Sequence, residues 1–158
     1  MGLEHKIFLV TKSDYEEIPC NVGDVSLEDM SNCVLIHNDI IQYIGDTLRW
    51  IPSINPGNGY EKGFGLNNYG ITLFDKEGAA VILNIAKLWA DLFSNGTPIL
   101  KLKGSYCWTT NDKGVLEGEY EIIEVNRDEL VSNIRKLQSL AEKVIHDSSK
   151  YFIIHHGI

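Results

Sequence analysis

Hydrophobic residues fall along this chain in short runs whose spacing switches between two and three to four, and the switch points mark the elements. Residues 6–11 (Lys-Ile-Phe-Leu-Val-Thr) are rich in strand formers and predict a first strand. Residues 12–32 are polar and acidic and are broken by Pro19 and Gly23, which predicts a loop with room for a short helix after Ser26. Ile40, Ile41, Ile44 and Leu48 recur at helical spacing behind Asn38 as a cap, predicting a helix over 39–49 that Pro52 ends. Turn-forming residues then crowd from Asn55 through Asn68 and predict the longest irregular stretch of the chain.

The second half is more regular. Residues 69–74 predict a strand, and Asp75 stands where a helix cap belongs. Ile82, Ile85, Ala86, Trp89, Leu92 and Phe93 then form a wide apolar helix face, stopped by Asn95-Gly96 and Pro98. Residues 99–108 alternate Ile99, Lys101 and Lys103 against Leu100 and Leu102, and the turn residues 109–114 lead into an acidic strand, so the two predict a hairpin. Leu130, Ile134, Leu137, Ala141, Val144 and Ile145 make the stripe of a last helix over 128–146, with Asn126 and Asp128 as candidate caps. Residues 151–154 predict a closing strand in the sheet interior. The expected architecture is one α+β domain over residues 1–158, a two-layer sandwich with a mainly antiparallel sheet and helices packed on one face.

Composition adds limits to this picture. The 158 residues suffice for one core of ordinary size, and 44% hydrophobic with 23% charged residues is a globular balance. The net charge of −8 argues against nucleic acid or an anionic membrane as partner and is compatible with a basic protein. No run is long enough to span a membrane, and no basic region precedes an apolar core at the N-terminus, so the expected location is cytoplasmic. Three cysteines (Cys20, Cys33 and Cys107) at long spacings suggest neither a disulfide framework nor a zinc site and read as reduced, structural thiols.

Candidate chemistry is sparse. None of the five histidines makes a ligand pair with another His or Cys at helical or strand spacing. His155 and His156 are adjacent and on a strand face opposite ways, one to the core and one to solvent. Cys107 lacks a signature for nucleophilic catalysis, and Gly63-Phe64-Gly65 lacks the rest of a dinucleotide fingerprint. No catalytic residue, metal site or cofactor is therefore expected.

The clearest signal is the run Glu-Gly-Glu-Tyr-Glu-Ile-Ile-Glu at 117–124. On a strand, Glu117, Glu119 and Glu121 share one face about 7 Å apart, with Glu124 one step out of register. Neighbours at that spacing repel by about 0.5–1 kcal/mol in water, which a basic partner would relieve. A solvated edge strand explains the same run without a partner, as does pairing with Lys101 and Lys103 across the hairpin. Trp50 and Trp108, each at the end of an element, are candidate interface anchors.

Three stretches carry a resemblance: Asn68-Tyr69-Gly70-Ile71-Thr72, Leu83 through Trp89, and Phe152-Ile153-Ile154-His155-His156-Gly157-Ile158. Over residues 68–158 the layout resembles small bacterial immunity proteins of polymorphic and contact-dependent toxin systems. The resemblance implies a non-enzymatic cytoplasmic protein that caps the active surface of a cognate toxin, and it carries over no individual residue role. An acidic strip would suit a basic nuclease toxin by mimicking phosphate spacing. The expected contact residues are Glu117, Glu119, Glu121, Glu124, Trp50 and Trp108. Two other readings stay open: a small enzyme with its site at residues 55–70, near His37, His155 or Cys107, and a homodimeric structural or regulatory subunit.

Overall fold

The computed structural model describes residues 3–17 and 32–158, with only the backbone described for 15–17. The expected short helix after Ser26 and the thiol of Cys20 lie outside the described residues. In chain order the elements are β1 (Glu4–Thr11), α1 (Lys12–Glu17), β2 (Cys33–His37), α2 (Asn38–Tyr43), α3 (Gly45–Leu48), β3 (Pro52–Asn55), β4 (Glu61–Phe64), β5 (Ile71–Phe74), α4 (Lys76–Ser94), β6 (Ile99–Thr110), β7 (Leu116–Asn126), α5 (Arg127–His146) and β8 (Tyr151–His156). Strands β2-β1-β8-β5-β3-β4 form a six-stranded sheet, and β6 and β7 form a separate two-stranded one. The described pairings are all antiparallel, so the fold is α+β as the alternation predicts.

Helices α4 and α5 pack against each other and cover one sheet face, where Ile7, Val34, Ile36, Phe74 and Ile153 meet Ile82, Trp89, Ile134 and Leu140. Both helices start on the caps that the sequence offers. The Asp75 carboxylate accepts from the backbone N–H groups of Glu77 and Gly78, and Asn126 Oδ1 accepts from that of Glu129. In the predicted stripe of α5, Leu130, Ile134, Leu137, Ala141 and Val144 are buried and Ile145 is half-buried, while Leu92 of α4 is 67% exposed, in line with Leu88 one turn earlier. The opposite sheet face is also apolar, through Phe8, Cys33, Leu73, Phe152 and Ile154.

Four expectations need correction, the first at residues 12–17, expected as loop, which form α1. Residues 33–37 form a strand, β2, that the polar stretch before them concealed. The cap of α2 is His37, whose Nδ1 accepts from the Asp39 N–H at 3.2 Å; Asn38 is the first helical residue and is buried, and the helix breaks at Ile44 before α3. Much of the supposedly irregular stretch from Asn55 is a hairpin, β3–β4, because its turn residues are concentrated at one reversal. There Gly59 and Tyr60 both take positive φ, 64° and 61°.

Strand β8 lies between β1 and β5, with Ile7 and Thr72 opposite His155 on either side. His5 and His155 are both fully buried on the helix-covered face. Their rings lie within 17° of parallel, and His5 Nδ1 is 2.8 Å from His155 Nε2. His5 Nε2 is 3.1 Å from Asn38 Oδ1, an oxygen that can only accept. The network then assigns the protons: His5 donates through Nε2, its Nδ1 accepts from His155 Nε2–H, and His155 Nδ1 is left as a buried acceptor with no partner among the described residues. A further proton on either ring leaves an N–H at His155 Nδ1 with no acceptor among the described residues. Burial, then the positive charges that His5 and His156 would carry, push the His155 pKa down to about 3; His5 is lowered by burial and His37, against the hydrogen bond to Asn38.

Two predictions follow from this closure. The unfolded chain protonates these imidazoles below about pH 6.5 while the folded chain resists, so the unfolded state binds more protons and stability falls as pH drops from about 6.5 toward 3. His155 alone contributes a slope of about 1.4 kcal/mol per pH unit through most of that window. Urea denaturation at pH 7.5 and pH 5 should show the loss, and His155→Leu should flatten the profile. The second concerns Gly157, whose N–H donates to Gly70 O at 2.9 Å. A Cβ on Gly157 would overlap the Asn68 carbonyl, so Gly157→Ala should cost about 1–3 kcal/mol in the same titration.

Candidate functional site: the β6–β7 arm

The hairpin β6–β7 joins the end of α4 to the start of α5. Its base is tied down by the Arg127 N–H on Pro98 O at 3.0 Å and by Arg127 Nη1 on Gly96 O at 2.9 Å. Leu100, Leu102, Ile123 and Val125 turn toward the core at this base. Beyond it, most residues of 103–122 are exposed on both faces of the two-stranded ribbon. A free two-stranded hairpin is only marginally stable in water, so this arm relies on its anchored base and on contacts between its own side chains.

The register explains which residues share a face. Lys101 pairs with Glu124 and Lys103 with Ile122; after a bulge at residues 104–105, Tyr106 pairs with Tyr120, Cys107 with Glu119, Trp108 with Gly118 and Thr109 with Glu117. Glu117, Glu119 and Glu121 therefore do form one row, as strand alternation predicts. Lys101 and Lys103 do not neutralise it, because they lie on the other face. Lys101 Nζ is 3.2 Å from Glu124, and Lys103 Nζ sits 3.5 Å from the centroid of the Tyr120 ring, a cation–π contact. The expectation that these lysines pair with the row fails because the hairpin register gives them Glu124 and Ile122 as neighbours.

Within the acidic row, Glu117 accepts from Asn111 Nδ2 at 2.7 Å, and no basic side chain among the described residues forms an ion pair with Glu117, Glu119 or Glu121. Cys107 stands among these carboxylates. Partial burial, a hydrogen bond with Glu121, and the Glu121 and Glu119 charges hold its thiol above the usual range. That is the reverse of what a nucleophilic cysteine needs.

The opposite face is aromatic. Tyr106 lies edge-on to both Trp108, centroids 5.4 Å apart, and Tyr120, centroids 4.8 Å apart. Gly118 leaves the space that the Tyr106 ring covers. Trp108 is 65% exposed and Ile122 67%, with Leu116 also open. Of the predicted contact residues, Glu117, Glu119 and Glu121 share one face of the arm, while Trp108 and Glu124 occupy the other. Trp50 is 62% exposed but belongs to the turn between α3 and β3, on the body rather than the arm. Sequence alternation puts Tyr106, Trp108, Tyr120 and Ile122 out of step with Cys107, Glu119 and Glu121, but only the hairpin register makes them one aromatic ladder.

The stretches that carry the immunity-protein resemblance lie elsewhere. Residues 68–72 and 152–158 meet each other: Thr72 is opposite His155, Gly157 N–H donates to Gly70 O, and Ile158 N–H donates to Asn68 O. They form a clasp that continues the β5–β8 pairing past the strand ends, with Tyr69 exposed beside it. His156 is half-buried on the face away from His155. Trp89 is buried between the helices and the sheet.

Residues 52–77 border two open clefts, of about 280 Å³ beside Asn55, Asn67 and Thr72 and about 150 Å³ beside Ile54, Lys62 and Glu77. Neither is lined by His37, His155 or Cys107. No cluster of His, Cys, Asp and Glu suited to a metal occurs among the described residues. Cys33 is buried and Cys107 half-buried, both as free thiols.

The carboxylates add to burial in holding down the reactivity of Cys107. Replacing Glu119 and Glu121 by Gln should speed its alkylation by iodoacetamide at pH 8 several-fold, read by mass spectrometry of the peptide bearing Cys107. An unchanged rate would show that burial alone sets the thiol.

Comparison of the chain with protein-family models, with curated proteins and with solved structures gives no match in any of the three.

Proposed function

We propose that this protein is a non-enzymatic binding protein of the immunity or inhibitor type, acting in the cytoplasm, which neutralises a cognate bacterial toxin by surface complementarity. The observation that carries the reading is the row Glu117, Glu119 and Glu121, exposed on the arm and forming no ion pair with a cation among the described residues. An exposed row of like charge raises the local concentration of a basic partner and steers its approach, most strongly at low salt. The net charge of −8 acts in the same direction. In the described residues no helix is long and apolar enough to cross a membrane, which agrees with a role away from the bilayer core. The enzyme reading has less support, since the clefts at residues 52–77 present neither a histidine nor a cysteine.

The direct test mixes the purified chain with the purified product of the adjacent gene and measures complex formation and loss of toxin activity. Neutralisation at a 1:1 ratio is expected, with association slowing as salt rises. The charge-reversed variant Glu117→Lys/Glu119→Lys/Glu121→Lys should associate about 10–100-fold more slowly. Equal rates for the variant and the parent chain would remove the acidic row from the account.

A further inference from the structure

The acidic row accounts for one face of the arm and leaves the aromatic face without a role. Tyr106, Trp108, Leu116, Tyr120 and Ile122 lie on that face, and each is between 48% and 67% exposed. Side chains of this size carry about 150–250 Å² each, so the five present roughly 450–750 Å², to which the stems of Lys101 and Lys103 add. A typical monomer exposes no apolar patch larger than about 300–600 Å², and each side of a standard interface takes about 800 Å². This one face is therefore large enough to dock by itself. Its rings are already held edge-on to one another, which lowers the entropy lost on docking.

The order of residues along the face decides what fits it. Tyr106 and Tyr120 pair at its middle. One step toward the tip stand Trp108 and Gly118; one step toward the base stand Lys103 and Ile122, with the Lys101–Glu124 ion pair beyond them. Lys103 Nζ lies over the Tyr120 ring and forms no ion pair among the described residues. An aliphatic cover would strand that charge, whereas a second aromatic ring would hold it. A second copy supplies that ring. Laid face to face with its base over the first copy's tip, about a two-fold axis running across the ribbon along the Tyr106–Tyr120 pair, it sets each Trp108 over the other Lys103. Each Ile122 then falls on the low ground at Gly118, which the Tyr106 ring floors. The face is thus complementary to itself, as an isologous interface must be.

Charge admits the arrangement. The aromatic face carries Lys101, Lys103 and Glu124, so two chains of net charge −8 meet there without opposing carboxylate rows. The Glu117, Glu119 and Glu121 rows point away from the paired ribbons on opposite sides, on the order of 20 Å apart and beyond the Debye length of about 8 Å. At the base, Leu100, Leu102, Ile123 and Val125 turn toward the core on that same acidic side, which places the two bodies on the far sides of the ribbons.

We propose that the aromatic face of the β6–β7 arm is the interface of a two-fold homodimer, ribbon on ribbon and base over tip, with both acidic rows left outward. This goes beyond the binding reading and does not rest on it, since the dimer requires no second protein.

Sedimentation equilibrium of the full-length chain alone tests it, over concentrations from about 1 to 500 μM. The expected result is a monomer–dimer equilibrium with a dissociation constant on the order of 1–100 μM. Ile122→Glu should abolish the dimer, Trp108→Ala should weaken it about 10-fold or more, and Glu119→Lys/Glu121→Lys on the other face should leave it unchanged. Base over tip sets position 108 against Lys103, so Trp108→Glu should dimerise about 10-fold more tightly than Trp108→Lys at low salt. Circular dichroism checks that each variant folds. A parent chain that is monomeric throughout overturns the proposal, as does a dimer that survives Ile122→Glu or that dissociates in Glu119→Lys/Glu121→Lys. Equal dimerisation of Trp108→Glu and Trp108→Lys overturns the base-over-tip arrangement. A monomer whose Trp108→Ala variant instead loses affinity for the product of the adjacent gene also overturns the dimer and gives the face to that protein. The binding reading stands or falls separately, on complex formation with that product.

Discussion

Strand β8 supplies pairing partners to β1 on one side and β5 on the other, so the middle of the six-stranded sheet exists only once residues 151–156 have met residues 4–11. Closing so long a loop costs entropy before any contact repays it. The repayment is large here, because Ile153 and Ile154 are almost fully buried, each in a different apolar cluster, on opposite faces of the same strand. The buried imidazoles make that closure specific. A slip of one residue would move His155 from beside His5 to the face of Phe8 and Phe152, where its nitrogens would meet only hydrocarbon. The histidine pair thus fixes register even though one of its nitrogens finds no partner among the described residues.

The helical layer follows from this sheet. Helices α4 and α5 lie antiparallel over it, and their far connection is not a short loop but the β6–β7 arm. Asp91 on α4 forms an ion pair with Arg135 on α5, and Arg127 caps the end of α4 by holding Gly96 O. The base of the arm is therefore as fixed as the helix pair beneath it. A rigid base under an exposed tip is what a recognition element requires, since the entropy of positioning is already spent.

Much of this organisation was legible in the sequence, and the failures have physical reasons. Helix periodicity and side-chain caps located α4 and α5, because Asp75 and Asn126 act through contacts two or three residues away. Strand alternation placed Glu117, Glu119 and Glu121 together for the same reason: period two is local. What crossed between strands was not legible. The neighbours of Lys101 and Lys103 depend on a turn at 111–115 and a bulge at 104–105, neither of which the alternation encodes. The contact of His5 with His155 spans 150 residues. Parity gave a trace of it, since His5 keeps step with Ile7 and His155 with Ile153, both core positions. Strand β2 escaped notice beside a long polar segment, and β3–β4 was obscured by glycines and asparagines that serve a single reversal.

The separation of arm from body has a consequence for how such a protein diversifies. No side chain of residues 103–122 belongs to the helix-and-sheet core. Substitutions there leave folding stability almost untouched, whereas nearly any change at Ile153, His155 or Gly157 is penalised. A lineage could therefore rewrite the charge and aromatic pattern of the arm, residue by residue, on an invariant chassis. Because the faces are set by parity, loss of a single residue within β7 would exchange their identities over the strand beyond it, creating in one step a surface with a different preference.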